Sequence, residues 1–252
     1  MKPLIGKVAW VTGGGQGIGL AIAVRLADLG ARVVISSRAN ATLDGAVRSA
    51  GTDAGLHAMA LDVTDAAAVE SAAATIVSRH GQIDVLVNAA GINLPRRHWR
   101  DVDAQAWKQI VDTNLHGAMY CTMAVLPHMR ARRDGLVINV SSWAGRFGTH
   151  LTGPAYNASK HALAALTHSL NMEECVNGIR GCTVFPAEVA TPMLLKRPVP
   201  PSQDDMDRML QPQDVAATVE FVVRFPARVC VNEIVISPTW NRIFLGADTP
   251  HR

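Results

Sequence analysis

Cysteine is scarce in this chain and has none of the spacings that bind a metal or build a disulfide framework. The four cysteines stand singly at positions 121, 175, 182 and 230, with no C-x-x-C pair. Small disulfide-held domains and zinc sites both need closely spaced sets of ligating residues. Nine histidines are present, but none belongs to an H-E-x-x-H pattern. We therefore expect reduced thiols, no metal site and a cytoplasmic setting.

Long apolar runs and a strong net charge are also missing. Charged residues interrupt every stretch before it reaches the ~18 apolar residues of a membrane span, and the first residues have no signal-peptide pattern. The net charge is only +3. Short basic stretches contain Arg96 and Arg97 in one place and Arg132 and Arg133 in another. We interpret them as solvated helix ends, and we expect neither a nucleic acid nor a membrane as partner.

The chain does contain a regular alternation of two patterns. Short continuous apolar runs, typical of strands buried on both faces, are separated by longer stretches of helical periodicity. The predicted strands cover 8–11, 32–35, 58–61, 85–87, 136–140, 182–185 and 234–236. The predicted helices cover 18–29, 66–80, 104–130, 155–176 and 212–223. This alternation predicts an α/β fold, with one domain over 1–252 built on a doubly wound parallel sheet of about seven strands with helices on both faces.

Proline is concentrated in one segment of the chain. Residues 191–212 hold five of the 13 prolines and lie between the sixth predicted strand and the last long helix. Long irregular insertions in compact domains are often functional. We therefore interpret this segment as a mobile flap over a substrate site, with a plain surface connection as the alternative.

The first predicted strand runs directly into a glycine-rich turn. Residues 12–19 read TGGGQGIG, and a helical pattern begins at once. Gly13, Gly17 and Gly19 can provide a tight turn, a close approach of the backbone to a pyrophosphate and close packing of helix on sheet. No Lys-Ser or Lys-Thr pair follows, which argues against a P-loop. The turn predicts a dinucleotide site, and a ligand-free tight turn is the alternative.

The end of the second predicted strand indicates which dinucleotide binds. Sites of this kind place an acidic residue about twenty positions after the glycines, where it binds the adenosine ribose hydroxyls. Here that place holds Ser37, followed by Arg38. A carboxylate would repel a 2′-phosphate, whereas a hydroxyl beside a guanidinium can bind one. We expect NADP(H) as the cofactor, with NAD(H) as second choice; the alternative for Arg38 is an exposed loop cation.

A tyrosine and a lysine form the clearest catalytic pattern. Tyr156 and Lys160 are four residues apart in a helical stretch, so their side chains share a face. A neighbouring ammonium favours the ionised phenol and would lower its pKa toward the range useful for acid/base catalysis. Ser142 follows a predicted strand on the same face as Ile138, which places its hydroxyl at the carboxyl edge of the sheet. Ser141 points to the opposite face.

Together these residues resemble the short-chain dehydrogenase/reductase family over residues 7–192, roughly three quarters of the chain. Besides the glycine turn, the similar motifs are Leu61-Asp62-Val63, Asn88-Ala89-Ala90-Gly91, Asn114, Ser142-Trp143-Ala144-Gly145 and Tyr156-Asn157-Ala158-Ser159-Lys160. The chain departs from the family pattern by one extra residue between Ser142 and Tyr156 and by Ala187 in place of a glycine. Its last predicted strand lacks the usual glycine-rich turn and is more similar to the NADP-linked hydroxyacid-dehydrogenase branch.

The resemblance implies a Rossmann-type fold and a catalytic set of four residues. Tyr156 would donate or remove the proton and Ser142 would orient the carbonyl or alcohol. Lys160 would bind the nicotinamide-ribose hydroxyls and lower the Tyr156 pKa, while Asn114 would hold a water that relays protons. A satisfied core amide is the alternative for Asn114. The expected cofactor contacts are Gly13, Gln16, Gly17, Ile18, Gly19, Ser37, Arg38, Asp62, Val63, Asn88, Ala89, Gly91, Tyr156, Lys160, Pro186, Val189 and Thr191.

The predicted function is an NADP(H)-dependent oxidoreductase. It would transfer a hydride between the nicotinamide and a secondary alcohol or ketone, with a hydroxy acid or a 3-oxoacyl compound among the substrates considered. The resemblance also implies a homodimer or homotetramer assembled through the helices at 104–130 and 155–176. Two alternatives stay open: a non-catalytic NADP(H)-binding regulatory protein of the same fold, and a flavin-binding protein with flavodoxin-like strand order.

Overall fold

The computed structural model describes residues 2–51, 55–197 and 199–244, and in that part of the chain seven parallel strands form one sheet. The strands are β1 (Val8–Thr12), β2 (Arg32–Ser37), β3 (Leu56–Ala60), β4 (Val85–Asn88), β5 (Gly135–Val140), β6 (Ile179–Pro186) and β7 (Glu233–Ile236). Their order across the sheet is β3-β2-β1-β4-β5-β6-β7. The predicted fold class is confirmed. The flavodoxin-like alternative is wrong, because that fold places β1 between β2 and β3.

Helices cover both faces of the sheet. They are α1 (Gly17–Asp28), α2 (Asn40–Ala50), α3 (Ala66–His80), α4 (Ala104–Val111), α5 (Gly117–Arg132), α6 (Pro154–Glu174), α7 (Gln203–Arg208) and α8 (Pro212–Val223). The predicted helix at 104–130 is divided into α4 and α5 by a single π turn, Asp112–His116. Helix α2 was missed because little of it is apolar and its buried residues are only Leu43 and Ala46. None of the helices described is long and apolar enough to cross a membrane.

The sheet separates two layers of buried side chains. Val11 and Ile35 belong to the layer that includes α1 and α8, whereas Trp10 and Val34 belong to the layer that includes α3 and α5. Trp10 is fully buried, and its indole N–H donates to the Ser36 hydroxyl oxygen at 2.9 Å. Both faces of the central strands are therefore covered, which is why they read as continuous apolar runs.

The order of the strands determines where a ligand site can form. From β1 the chain continues to β2 and β3 on one side of the sheet, and from β4 it continues to β5, β6 and β7 on the other. A crevice forms at such a switch point, outside the carboxyl ends of the strands. The glycine turn follows β1 and the segment 89–91 follows β4, so both motifs border this crevice.

The proline-rich segment after β6 is partly ordered into short elements. It contains a 3₁₀ turn, Leu194–Lys196, and helix α7. Backbone bonds fasten its base: the Ala190 N–H donates to the Leu210 carbonyl at 2.8 Å, and the Leu210 N–H donates to the Glu188 carbonyl at 3.1 Å. Pro198 lies outside the described residues. These bonds bring the two ends of the predicted flap together just beyond the carboxyl end of β6. The mobility of the flap stays a prediction.

Candidate active site

Three glycines give the turn between β1 and α1 its shape. Gly13 has φ +67°, and a Cβ there would lie 2.7 Å from the Ala89 carbonyl oxygen. A Cβ at Gly19 would lie 2.3 Å from the Gly13 carbonyl oxygen. Gly17 has φ +54°, and its missing Cβ would point toward Thr191, whose Cγ2 is 3.4 Å away. Side chains at these positions would clash, strain the backbone or fill the space beside the turn.

The start of helix α1 leaves its backbone donors available. Gln16 is the N-cap residue, its side chain makes no capping bond, and no acidic side chain occurs in the first turn. The exposed N–H groups at a helix start and the helix macrodipole both favour a negatively charged group. This end of α1 is therefore suited to hold the phosphates of a ligand.

A cleft of about 300 Å³ lies above the carboxyl ends of the central strands. Among the predicted cofactor contacts, those that line it are Gly13, Gln16, Gly17, Ile18, Gly19, Ser37, Arg38, Asp62, Val63, Ala89, Gly91, Tyr156, Lys160 and Thr191. Ser37 and Arg38 follow β2 on one side of the switch point. Tyr156 and Lys160, on α6, lie toward β5 on the other side, since Lys160 bonds the last residue of β5. The cleft thus spans both halves of the fold.

The two hydroxyl residues of the predicted catalytic set line one cavity. Tyr156 lies in the first turn of α6, and Ser142 lies across the same space. Ser142 caps the 3₁₀ turn after β5, where its Oγ accepts from the Ala144 N–H at 3.2 Å. Ser141 points away, and its Oγ donates to the Lys160 carbonyl oxygen at 2.8 Å. Strand alternation indicates Ser142 as the partner of Tyr156, and Ser142 lines the second cavity with Tyr156 while the Ser141 hydroxyl is bonded to the backbone.

Burial controls the charges of both Tyr156 and Lys160. The Lys160 Nζ donates to the Val140 carbonyl oxygen at 2.9 Å and lies 5.7 Å from the Tyr156 ring centroid. Burial lowers the pKa of Lys160 to about 8. Burial also raises the pKa of Tyr156, and the bond to Ser142 and two nearby guanidinium groups offset only part of that rise. The expected lowering of the Tyr156 pKa by Lys160 is thus corrected, because desolvation outweighs charge attraction here.

Asn114 lies in the π turn and holds the loop that follows β4. Its Oδ1 accepts from the Ile92 N–H at 2.8 Å, and its Nδ2 donates to the Ile92 carbonyl at 3.0 Å and to the Ser159 Oγ at 3.2 Å. A Cβ at Gly91 would lie 3.4 Å from both the Asn114 Oδ1 and the Lys160 Nζ. These contacts are those of a buried amide that positions a loop, which was the alternative interpretation, and the water relay stays a prediction.

A second cavity, of about 120 Å³, adjoins the cleft. The residues that line both spaces are Ile18, Ser141, Tyr156, Thr191 and Met193. Ser142 lines only the second cavity, together with residues from the predicted flap such as Leu194 and Arg197. Tyr156 therefore stands where the two spaces meet, with Ser142 on the side of the second cavity.

Residues 7–199 match the short chain dehydrogenase family. The chain belongs to the short-chain dehydrogenase family. It is 40% identical over 234 residues to the Short-chain reductase protein NovJ of Streptomyces niveus, covering 86% of this chain and 87% of NovJ. It is 30% identical to an uncharacterized oxidoreductase of Staphylococcus haemolyticus, covering 94% of this chain and 100% of that relative.

Solved structures agree with this assignment. A metagenomic short-chain oxidoreductase in complex with NADP has a TM-score of 0.81 and 30% identity, covering 94% of this chain and 99% of its own. A 3-ketoacyl-(acyl-carrier-protein) reductase from Brucella melitensis complexed with NADH has a TM-score of 0.84 and 27% identity, covering 93% and 98%. The dehydrogenase is thus an oxidoreductase acting on CH–OH groups, and its relatives support a nicotinamide cofactor.

Three predicted cofactor contacts of the dehydrogenase lie away from the cleft lining. Pro186 and Val189 line the second cavity instead. The Asn88 side chain is buried in the core, where its Nδ2 donates to the Asn139 Oδ1 at 2.9 Å and to the Thr122 Oγ1 at 3.3 Å. The Asn88 side chain is therefore occupied within the core, and a cofactor contact of Asn88 stays a prediction. The side chain joins β4 to β5 and to α5, because its place in β4 directs it into the core.

The sequence patterns of the dehydrogenase missed several residues around both spaces. Thr42 and Ile92 line the cleft, and Glu188 and Ile243 line the second cavity. Arg97, interpreted as part of a solvated helix end, is only 6% exposed and lines the second cavity as well. That interpretation of Arg97 is wrong. The sequence feature that could have predicted its position is the loop after the fourth strand, because ligands bind outside the carboxyl ends of the strands.

Proposed function

We propose that this dehydrogenase transfers a hydride between NADP(H) and a secondary alcohol or ketone. The observation that carries the proposal is the position of Tyr156, which lies where the cleft and the second cavity meet. An oxygen of a substrate in the second cavity could contact the hydroxyls of both Tyr156 and Ser142. Two convergent hydroxyls beside a cofactor cleft are the arrangement that carbonyl reduction needs.

The residues of the cleft fit a dinucleotide. The glycine turn leaves no room for Cβ atoms at Gly13 and Gly19, and the start of α1 offers uncapped backbone donors to a pyrophosphate. Tyr156 and Lys160 line the same cleft and would hold the hydroxyls of the nicotinamide ribose. When bound, the nicotinamide supplies or accepts the hydride.

A preference for the phosphorylated cofactor follows from the residues after β2. Ser37 and Arg38 line the cleft, and the Arg38 side chain is exposed at its border. A guanidinium can form charge-assisted bonds to a 2′-phosphate, and no carboxylate occupies the position that would repel one. The complex of the metagenomic relative with NADP supports this choice, whereas the relative from Brucella melitensis is complexed with NADH.

The side chains of the site can move one proton and hold one oxygen. The raised pKa of Tyr156, caused first by burial, keeps the phenol protonated at neutral pH. Tyr156 can therefore donate its proton to a carbonyl oxygen that becomes negative, while the Ser142 hydroxyl donates a hydrogen bond to the same oxygen. Lys160 and Asn114 hold this arrangement through their bonds to the Val140 carbonyl and to Ile92.

Replacing Tyr156 with phenylalanine tests the proposal. Tyr156→Phe should lower kcat for ketone reduction by roughly 10²–10⁴-fold, the usual contribution of general acid catalysis. Binding of NADPH, followed by its fluorescence, should be retained because the glycine turn is untouched. Tyr120→Phe is the matched control, since Tyr120 is the other tyrosine of the chain and lies on α5. Full turnover by Tyr156→Phe would remove this phenol from the mechanism.

The same assay separates the enzyme from the regulatory alternative. A protein that only senses NADP(H) would bind the cofactor and reduce no member of a panel of ketones and oxo acids. The presence of Tyr156 and Ser142 in the lining of one cavity argues against that alternative, because sensing does not require a proton donor.

A further inference from the structure

A buried arginine lines the second cavity, and no hydrogen bond to its side chain is found among the described residues. Arg97 follows β4, is 6% exposed and lines the cavity that also contains Ser142 and Tyr156. Its Nε is buried without a hydrogen-bond partner among the described residues. Arginine is almost never buried unless it is paired, because removing its charge from water is costly. The position of Arg97 therefore requires an explanation beyond packing.

Glu188 lines the same cavity but is already paired with two other arginines. Its carboxylate accepts from the Arg197 Nη1 at 2.5 Å and from the Arg242 Nη2 at 2.7 Å. Burial alone would raise the pKa of Glu188, but the bonds from these two guanidinium groups lower it. Two cations therefore share the one carboxylate that lines this cavity among the described residues, and Lys196 adds a further cation to the cavity wall. The cavity is consequently positive.

Asp101 does not neutralise Arg97 either. Its carboxylate accepts from the backbone N–H of His98 at 2.8 Å, and it forms no ion pair with Arg97 within the described part of the chain. Burial is the main cause that lowers the pKa of Arg97, the charge of Arg197 lowers it further, and Asp101 and Tyr156 oppose these effects. The surroundings of Arg97 thus favour the arrival of an anion.

The backbone at Arg97 packs closely against the start of α6, the helix that carries Tyr156. Gly153 immediately precedes α6 and has φ +76°, and a Cβ there would lie 2.0 Å from the Arg97 carbonyl oxygen. This close approach places Arg97 beside the first turn of α6, where Tyr156 lies. The Arg97 side chain and the Tyr156 phenol therefore reach the second cavity from neighbouring parts of the backbone.

We propose that Arg97 binds the carboxylate of the substrate, so that the dehydrogenase acts on small hydroxy or oxo acids. The inference rests on the proposed function and names its substrate class. A guanidinium presents two parallel N–H donors that match a carboxylate. With its carboxylate on Arg97, an acid of a few carbons would have its carbonyl or hydroxyl within the same cavity as Ser142 and Tyr156. The volume of about 120 Å³ is below the ~300 Å³ of ordinary ligand pockets, which suits a small acid.

Matched pairs of charged and neutral substrates test the role of Arg97. The pairs are pyruvate with methyl pyruvate and acetoacetate with methyl acetoacetate, each measured by NADPH consumption. The wild type should prefer the acids, and Arg97→Met should lower the acid-over-ester ratio of kcat/KM by roughly 10- to 150-fold, mainly through KM. Arg97→Lys keeps the positive charge but lacks the planar guanidinium, so its acid-over-ester ratio should lie between those of the wild type and Arg97→Met. The adjacent and exposed Arg96 provides the control, because Arg96→Met should retain the wild-type ratio.

A binding measurement tests the same site without turnover. Thermal unfolding of the enzyme with NADPH is compared in propionate and in propionamide. The wild type should be stabilised by propionate only, and Arg97→Met should lose that stabilisation. If Arg97→Met does not fold, Arg97→Lys and the two wild-type comparisons decide the question.

The outcomes distinguish the two proposals. Turnover of esters and acids alike, with no stabilisation by propionate, would overturn the carboxylate site and leave the oxidoreductase proposal standing. Stabilisation by propionate that depends on Arg97, without turnover of any pair, would support the carboxylate site, and the wider panel of ketones and oxo acids would then decide the proposed function. Neither stabilisation by propionate nor a preference for the acids would reject the carboxylate site, whatever that panel shows.

Discussion

Replacing Lys160 with methionine should stabilise the folded protein at neutral pH. Burial lowers the pKa of Lys160 from 10.5 to about 8, which corresponds to about 3 kcal/mol of folding free energy lost below pH 8. Methionine has a similar length without the charge, but it removes the donor to the Val140 carbonyl oxygen, at a cost of about 1 kcal/mol. We expect a net gain of about 2 kcal/mol, or a Tm higher by about 4–8 °C, together with loss of the proposed ribose contact.

The stability gain of Lys160→Met should depend on pH in a direction set by proton binding. Between pH 8 and 10.5 the unfolded chain holds the Lys160 proton and the folded protein does not, so the stability of the wild type rises with pH. The advantage of Lys160→Met should therefore shrink over this window. Urea unfolding at several pH values measures it, and Lys108→Met, at a largely exposed position, should leave the free energy of unfolding nearly unchanged. A variant less stable than wild type at neutral pH, or a difference independent of pH, would refute the reasoning.

Arg38→Asp should lower the NADPH-over-NADH ratio of kcat/KM by more than about tenfold, because a carboxylate repels a 2′-phosphate; steady-state kinetics with an unchanged ratio would show that Arg38 does not contact it. Burial opposes ionisation of Asp84, but bonds from the Val8 N–H, Arg132 and Lys7 outweigh it and lower the Asp84 pKa. Asp84→Asn should cost about 2–3 kcal/mol at neutral pH, and urea unfolding should show the difference narrowing as acid protonates the wild-type carboxylate. Light scattering should find a homodimer or homotetramer, and a monomer would contradict the implied assembly.

The strands could be predicted because a parallel sheet covered on both faces demands apolar residues at nearly every strand position. The prediction failed where a charged strand residue bonds to a segment distant in sequence. Strand β6 begins at Ile179, earlier than the predicted 182, and it includes Arg180. The Arg180 guanidinium donates to the Val229 carbonyl at 3.1 Å and to the Pro226 carbonyl at 3.4 Å, so a charged residue is accommodated inside the strand. The sequence alone does not indicate that Arg180 bonds to these distant carbonyl groups.

In the candidate site, too, some features depend on residues close in sequence and others depend on contacts between distant residues. The glycine turn, the spacing of Tyr156 and Lys160 and the position of Ser142 depend on residues close in sequence, and local geometry was enough to predict them. The π turn around Asn114 interrupts a helix without any local breaker, and the amide it holds bonds to Ile92, 22 residues away. The direction of the Tyr156 pKa shift also depends on burial by distant elements, and local spacing alone indicated the opposite.

By itself the sequence determined the alternation of strands and helices, the turn that can receive a pyrophosphate and the pair of hydroxyls that can act on an oxygen. Each of these depends on backbone conformation and side-chain direction over a few consecutive residues. Only the tertiary structure decided that Arg97 is buried beside Tyr156 while Glu188 is occupied by Arg197 and Arg242. The charge balance of a cavity depends on which loops line it, and the packing of the whole chain determines which loops come together.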